Sequence, residues 1–118
     1  MRQILLIVDV QSTFSPPSWL VAGITNLIER MPSIATIELH DEAHTPFQRQ
    51  LGWRPAAQDT CLVMPDKVFV KHGYMPPAQA LAYLKRFNPD RVLVCGVQTE
   101  TCVLAAGFAL FDAGLHPT

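Results

Sequence analysis

Residues 3–9 read Gln3-Ile4-Leu5-Leu6-Ile7-Val8-Asp9, five apolar side chains in a row closed by an acid. A run this short, β-branched in part, predicts a central strand buried on both faces rather than a helix. Beyond the turn residues Ser15–Ser18, Leu20, Ile24, Leu27, Ile28 and Met31 recur at helical spacing until Pro32 stops the pattern. Ile34–Leu39 predicts a second strand. Val68-Phe69-Val70, ending at Lys71, predicts a third, and Arg91–Cys95, followed by Gly96, a fourth. Between the last two, Pro76-Pro77 opens a helix with Ala80, Leu81, Leu84 and Phe87 toward the core, closed by Asn88-Pro89. Thr99–Ala113 predicts a final helix, rich in Ala and Gly and ended by Gly114. The stretch 41–66 carries three prolines and reads as a long loop with room for one helical turn.

Strands alternating with helices imply right-handed crossovers, hence a three-layer α/β/α domain around a parallel sheet. The 118 residues bound one domain, and 49% hydrophobic content supplies a core. A net charge of -1 gives no field for nucleic acid or anionic membrane, and no apolar run reaches a spanning length. Met1-Arg2-Gln3 leads straight into the first strand, so no signal peptide is expected. Cys61, Cys95 and Cys102 make an odd count without metal spacing, which fits a reduced, cytoplasmic protein.

In open parallel sheets, ligands bind outside the carboxyl ends of the strands. Asp9 and Lys71 close the first and third strands, and Cys102 falls in the first turn after the fourth. Singly, each has an ordinary reading: a loop acid, a solvated lysine, a small core cysteine. Together they supply a proton acceptor, a positive neighbour and a nucleophile. The start of a helix and a nearby lysine are expected to lower the pKa of the Cys102 thiol. Cys61 and Cys95 read as core.

The segments Leu5–Gln11, Lys71-His72-Gly73-Tyr74 and Val94–Val103 (Val-Cys-Gly-Val-Gln-Thr-Glu-Thr-Cys-Val) resemble the three signatures of the isochorismatase-like cysteine hydrolase superfamily. That group includes nicotinamidases and N-carbamoylsarcosine amidases. The resemblance implies a sheet ordered 3-2-1-4 and a catalytic triad on Asp9, Lys71 and Cys102. It also implies an oxyanion hole at the backbone N–H groups of Gln98 and Cys102. The implied reaction cleaves a C–N bond of a small amide or carbamoyl compound through an acyl-thioester, with no cofactor. Phe14, Trp53 and Tyr74 are candidate pocket residues, with Trp19 and Phe47 beside them. Nicotinamidases carry an Asp-x-His metal motif after the second strand; here His40-Asp41-Glu42-Ala43-His44 puts alanine at the histidine position. His40, Asp41 and His44 remain ligand-type residues at irregular spacing, and the expectation is no metal. Alternative readings are a vinyl-ether hydrolase, which Cys102 disfavours, and a non-catalytic small-molecule-binding domain of the same fold.

The resemblance further implies about six strands where four are read. The chain is therefore expected to lack its C-terminal strands and to leave Arg91–Cys95 as an exposed edge. An apolar flank at Phe108 and Phe111 would then favour a homo-oligomer, dimeric or higher.

Overall fold

Five of the six residues of strand β1 (Gln3–Val8) are buried in the computed structural model, which describes residues 1–118. Their alternation explains why: Ile4, Leu6 and Val8 face one core, and Leu5 and Ile7 face another on the opposite side of the sheet. Helix α1 (Ser18–Ile28) covers the second core through Ile24, with Leu20 and Leu27 beside it. Strand β2 (Ser33–Glu38) pairs parallel to β1 and is buried throughout. The long loop contains one short helix, α2 (Phe47–Leu51), ended by Gly52 in a left-handed conformation. Strand β3 (Lys67–Lys71) pairs parallel to β2 and is the outer edge on that side.

Helix α3 (Ala78–Phe87) follows Pro77 and presents Ala80 and Leu84 to the first core; Asn88, at φ +56°, ends it. Strand β4 (Arg91–Gly96) pairs parallel to β1 along its whole length, from Gln3↔Arg91 to Val8↔Gly96. The sheet order is β3-β2-β1-β4, as the resemblance implies. The last helix begins differently from the expected continuous helix Thr99–Ala113. A π-helical turn (Thr99–Val103) precedes the α-helix proper, α4 (Leu104–Asp112), which seats Ala106 and Leu110 in the first core. No helix is long and apolar enough to cross a membrane.

The expected bare edge at β4 is corrected. Residues 116–118 run alongside it, with Val92 N–H donating to His116 O and Thr118 N–H to Val92 O, both at 2.9 Å. Leu115, buried in the first core, anchors this segment and turns it onto the strand. The flank beyond α4 does expose apolar side chains: Phe108 is 61% and Phe111 72% accessible.

Gly96 is where β4 and β1 approach most closely. It has φ +130°, and a Cβ there would stand 2.1 Å from the Val8 carbonyl oxygen. Gly107 on α4 has open space around it. Gly96→Ala is therefore expected to lower the melting temperature by at least about 10 °C or to prevent folding. Gly107→Ala should be neutral or stabilising by about 0.5–1 kcal/mol. Thermal denaturation of the two variants side by side checks this.

Candidate active site

Strand β1 ends by delivering Asp9, fully buried and held at φ +55°, a left-handed conformation that Asp tolerates better than most residues. Thr36 of β2 donates its hydroxyl to Asp9 Oδ1 at 2.9 Å. Lys71, the last residue of β3, reaches over β2 and places its ammonium 2.9 Å from Asp9 Oδ2. The same ammonium donates to the Tyr74 carbonyl at 3.1 Å and lies 3.7 Å from Glu38 Oε1. Cys102 descends from the π-helical turn. Its Sγ lies within 4.8 Å of carboxylate oxygens of both Asp9 and Glu38.

Gly96 lets β4 pass close to Val8, and the Val97 N–H then donates to Val8 O at 2.9 Å, bringing the next segment over the acid. The Val97–Gln98 peptide is cis, and the Gln98 N–H takes no backbone acceptor. Above the buried groups opens a cleft with about 340 Å³ of empty space including its mouth. Phe14, Trp53 and Tyr74 line it, as do Phe47, Glu38, Gln98, Thr101 and Cys102. Phe47 is its aromatic hub, edge-on to both Tyr74 and Trp53. Trp19 takes no part, standing exposed on α1. A wider groove along Val94, Phe108 and Phe111 carries no titratable side chain.

Burial dominates the electrostatics. It raises the Asp9 carboxyl above its usual range, against the pull of the Lys71 charge. Burial alone would lower Lys71, but the charge of Asp9, with help from Cys102 and Glu38, leaves its pKa raised and the ammonium charged. The Cys102 thiol corrects a sequence expectation. Burial and then the Asp9 charge push it up to about 11, outweighing Lys71, so the resting group is a neutral thiol.

Glu38 is the residue that sequence reading missed. It is 1% exposed, and burial pushes its carboxyl up to about 8. The rule that singled out Asp9 and Lys71 applies to it equally, because it is the last residue of β2. Extending that strand to Leu39 hid it. Gln11 escaped notice too: it is buried and bonds the Glu38 backbone at both ends, donating to Glu38 O at 2.7 Å and accepting from Glu38 N–H at 2.6 Å.

No family model matches the chain, and no curated protein matches it in sequence. Solved structures do match in fold. N-carbamoylsarcosine amidase from Thermoplasma acidophilum superposes with a TM-score of 0.81 at 19% identity, over 99% of this chain and 80% of its own. The pyrazinamidase of Pyrococcus horikoshii, solved in complex with zinc, gives 0.79 at 22% identity over 98% and 81%. PnC1 from L. infantum, solved with nicotinate, gives 0.79 at 21% over 97% and 76%. The chain thus has the isochorismatase-like α/β/α fold.

The zinc-bearing neighbour raises the question of a metal ion here. With β2 ending at Glu38, the acid-x-His spacing after the strand belongs to Glu38-Leu39-His40 and not to Asp41 and Ala43. His40 Nε2 lies 3.1 Å from Glu42 Oε1, Asp41 and His44 are exposed, and none of the three joins a convergent ligand set. The set that does converge is Asp9, Glu38 and Cys102, and the Lys71 ammonium already serves as its cation. A divalent ion does not fit there without displacing that charge.

Because folding raises Glu38 from 4.5 to about 8, the folded chain holds a proton that the unfolded chain has lost across this window. Stability from this group is complete below about 4.5 and is lost as pH rises through about 8. The raised Asp9 carboxyl contributes with the same sign. Glu42 and Asp59 are lowered, against burial, by backbone N–H donors, and act below the window. Thermal denaturation should show the melting temperature falling by several degrees from pH 5 to pH 8. Glu38→Gln, which cannot ionise, should flatten that decline.

Proposed function

We propose that this chain is an isochorismatase-like cysteine hydrolase that cleaves the C–N bond of a small amide or carbamoyl compound. The observation that supports it is the convergence of the buried Asp9–Lys71 ion pair with the thiol of Cys102, a residue that lines the cleft. The neighbours named as N-carbamoylsarcosine amidase and pyrazinamidase support the choice of bond.

In this reading the Asp9 carboxylate takes the Cys102 proton as the sulfur attacks the substrate carbonyl. A carboxyl raised by burial is a better base than an ordinary one. The S–C bond forms, and the carbonyl electrons move to oxygen, where the backbone N–H groups of Gln98 and Cys102 receive them. As the carbonyl re-forms, the C–N bond breaks, and Asp9 returns its proton to the leaving nitrogen. Water then gives a proton to Asp9, attacks the thioester and releases the acid with the Cys102 thiol restored. Lys71 stays charged throughout and holds the Asp9 carboxyl in place.

Cys102→Ala is expected to lower kcat on any amide or carbamoyl substrate by at least about 10³-fold. Cys61→Ala and Cys95→Ala should change activity no more than they change stability, since neither lines the cleft. Near-normal turnover by Cys102→Ala would remove the nucleophile from the scheme.

Since Lys71 supplies the positive charge of the cluster, chelation should leave activity unchanged. Assays before and after dialysis against a chelator check this; loss of activity restored by zinc or iron would return the His40 region to the site.

A further inference from the structure

Glu38 is the one carboxyl side chain lining the cleft, and the proposed reaction does not employ it. Neither of its carboxyl oxygens has a hydrogen-bond partner, although both are buried. The nearest charge, the Lys71 ammonium, stands 3.7 Å away, closer to Asp9 Oδ2 at 2.9 Å and to the Tyr74 carbonyl at 3.1 Å, and pairs with Glu38 only at long range. A buried carboxyl left without donors is destabilising, because water's hydrogen bonds have been lost and not replaced.

The chain nonetheless fixes Glu38 in place. Gln11 grips its backbone from both sides, and Asp59 Oδ2 in turn accepts from Gln11 Nε2 at 3.1 Å. Around it the cleft is mostly apolar, with Phe14, Phe47, Trp53 and Pro55 in the walls. A carboxyl that lines this cleft, with its backbone held and neither oxygen hydrogen-bonded, calls for a ligand that brings polar partners with it, and N–H donors are the partners that stabilise its carboxylate form.

We propose that Glu38 is the recognition group of this cleft and accepts the N–H hydrogens of a small ligand bearing an amidinium, ammonium or ureido group. For the identity of that ligand as substrate the inference rests on the hydrolase reading. For the N–H group it rests on the cleft alone.

A binding experiment on the turnover-dead Cys102→Ser protein separates the two. Its probes are acetamidine, a cationic donor; urea, a neutral donor; and N,N-dimethylacetamide, a carbonyl compound of similar size without N–H. Ligand-observed NMR titration should show at least one donor probe binding ten times or more tighter than dimethylacetamide. Glu38→Gln, added to Cys102→Ser, should weaken acetamidine about tenfold or more if the charge is what is read. If a neutral acceptor suffices, it should leave urea within about threefold while Glu38→Leu removes both. A circular dichroism melt confirms that each variant is folded. Equal binding of all three probes, or a donor preference that survives both Glu38 substitutions, overturns the proposal. Absence of hydrolysis by the unmutated chain with the Glu38-dependent preference intact would overturn the hydrolase reading alone.

Discussion

Two opposite charges at 2.9 Å, both removed from water, tie β1 and β3 together at their carboxyl ends across the intervening β2. Neither charge could be buried alone. The desolvation of Asp9 and Lys71 is tolerable only because each satisfies the other, with Thr36 and the Tyr74 carbonyl completing their contacts. Removal of one partner would leave the other unpaired in the interior, which costs on the order of 3–5 kcal/mol. The ends of three strands are therefore not free to drift relative to one another. Tyr74, whose carbonyl is one of the anchors, keeps its ring at the cleft wall for the same reason.

The cysteine reaches this pair by a separate route. Parallel pairing of β1 with β4 brings Gly96 opposite Val8, one residue before the acid. Only a residue without Cβ tolerates that approach. The Val97 N–H is then bonded back to Val8 O, and Val103 N–H to Gln98 O closes the π-helical turn that carries Cys102. Wider turns of this kind recur at functional sites, because they displace one side chain from the regular helical path. Here that side chain is the thiol.

The sheet was legible because its signal is redundant. A strand buried on both faces, such as Gln3–Val8, must be apolar throughout, and helices such as Ala78–Phe87 carry both a periodic apolar face and a proline–asparagine frame. Asp9, Lys71 and Cys102 were legible as chemistry at strand ends and within signature segments. Three features were not. Glu38 depends on where a strand stops, and a one-residue error at Leu39 conceals a strand-end acid. The pairing of 116–118 with β4 depends on Leu115 finding the core, a tertiary contact with no local pattern. The high pKa of Cys102 depends on burial. From the sequence, only the helix start and the lysine were visible, and both pull the other way.

That high pKa is consistent with nucleophilic chemistry once the cluster is treated as a whole. With Lys71 charged, a resting site of Asp9 carboxylate and Cys102 thiol carries the same net charge as one of Asp9 acid and Cys102 thiolate. Moving the proton between them relocates a negative charge beside a fixed ammonium and buries no additional charge. The penalty that keeps an isolated thiol neutral at this depth applies to ionisation toward solvent, not to transfer within the group. In the proposed reaction a thiolate so formed would exist only as the sulfur attacks, and the resting group is the less reactive neutral thiol. Glu38, with its own proton held to about pH 8, leaves that balance undisturbed near neutrality. A cationic group drawn to Glu38 would ionise it, so the ligand's positive charge would offset the new negative one and the net charge of site and ligand together would stay unchanged.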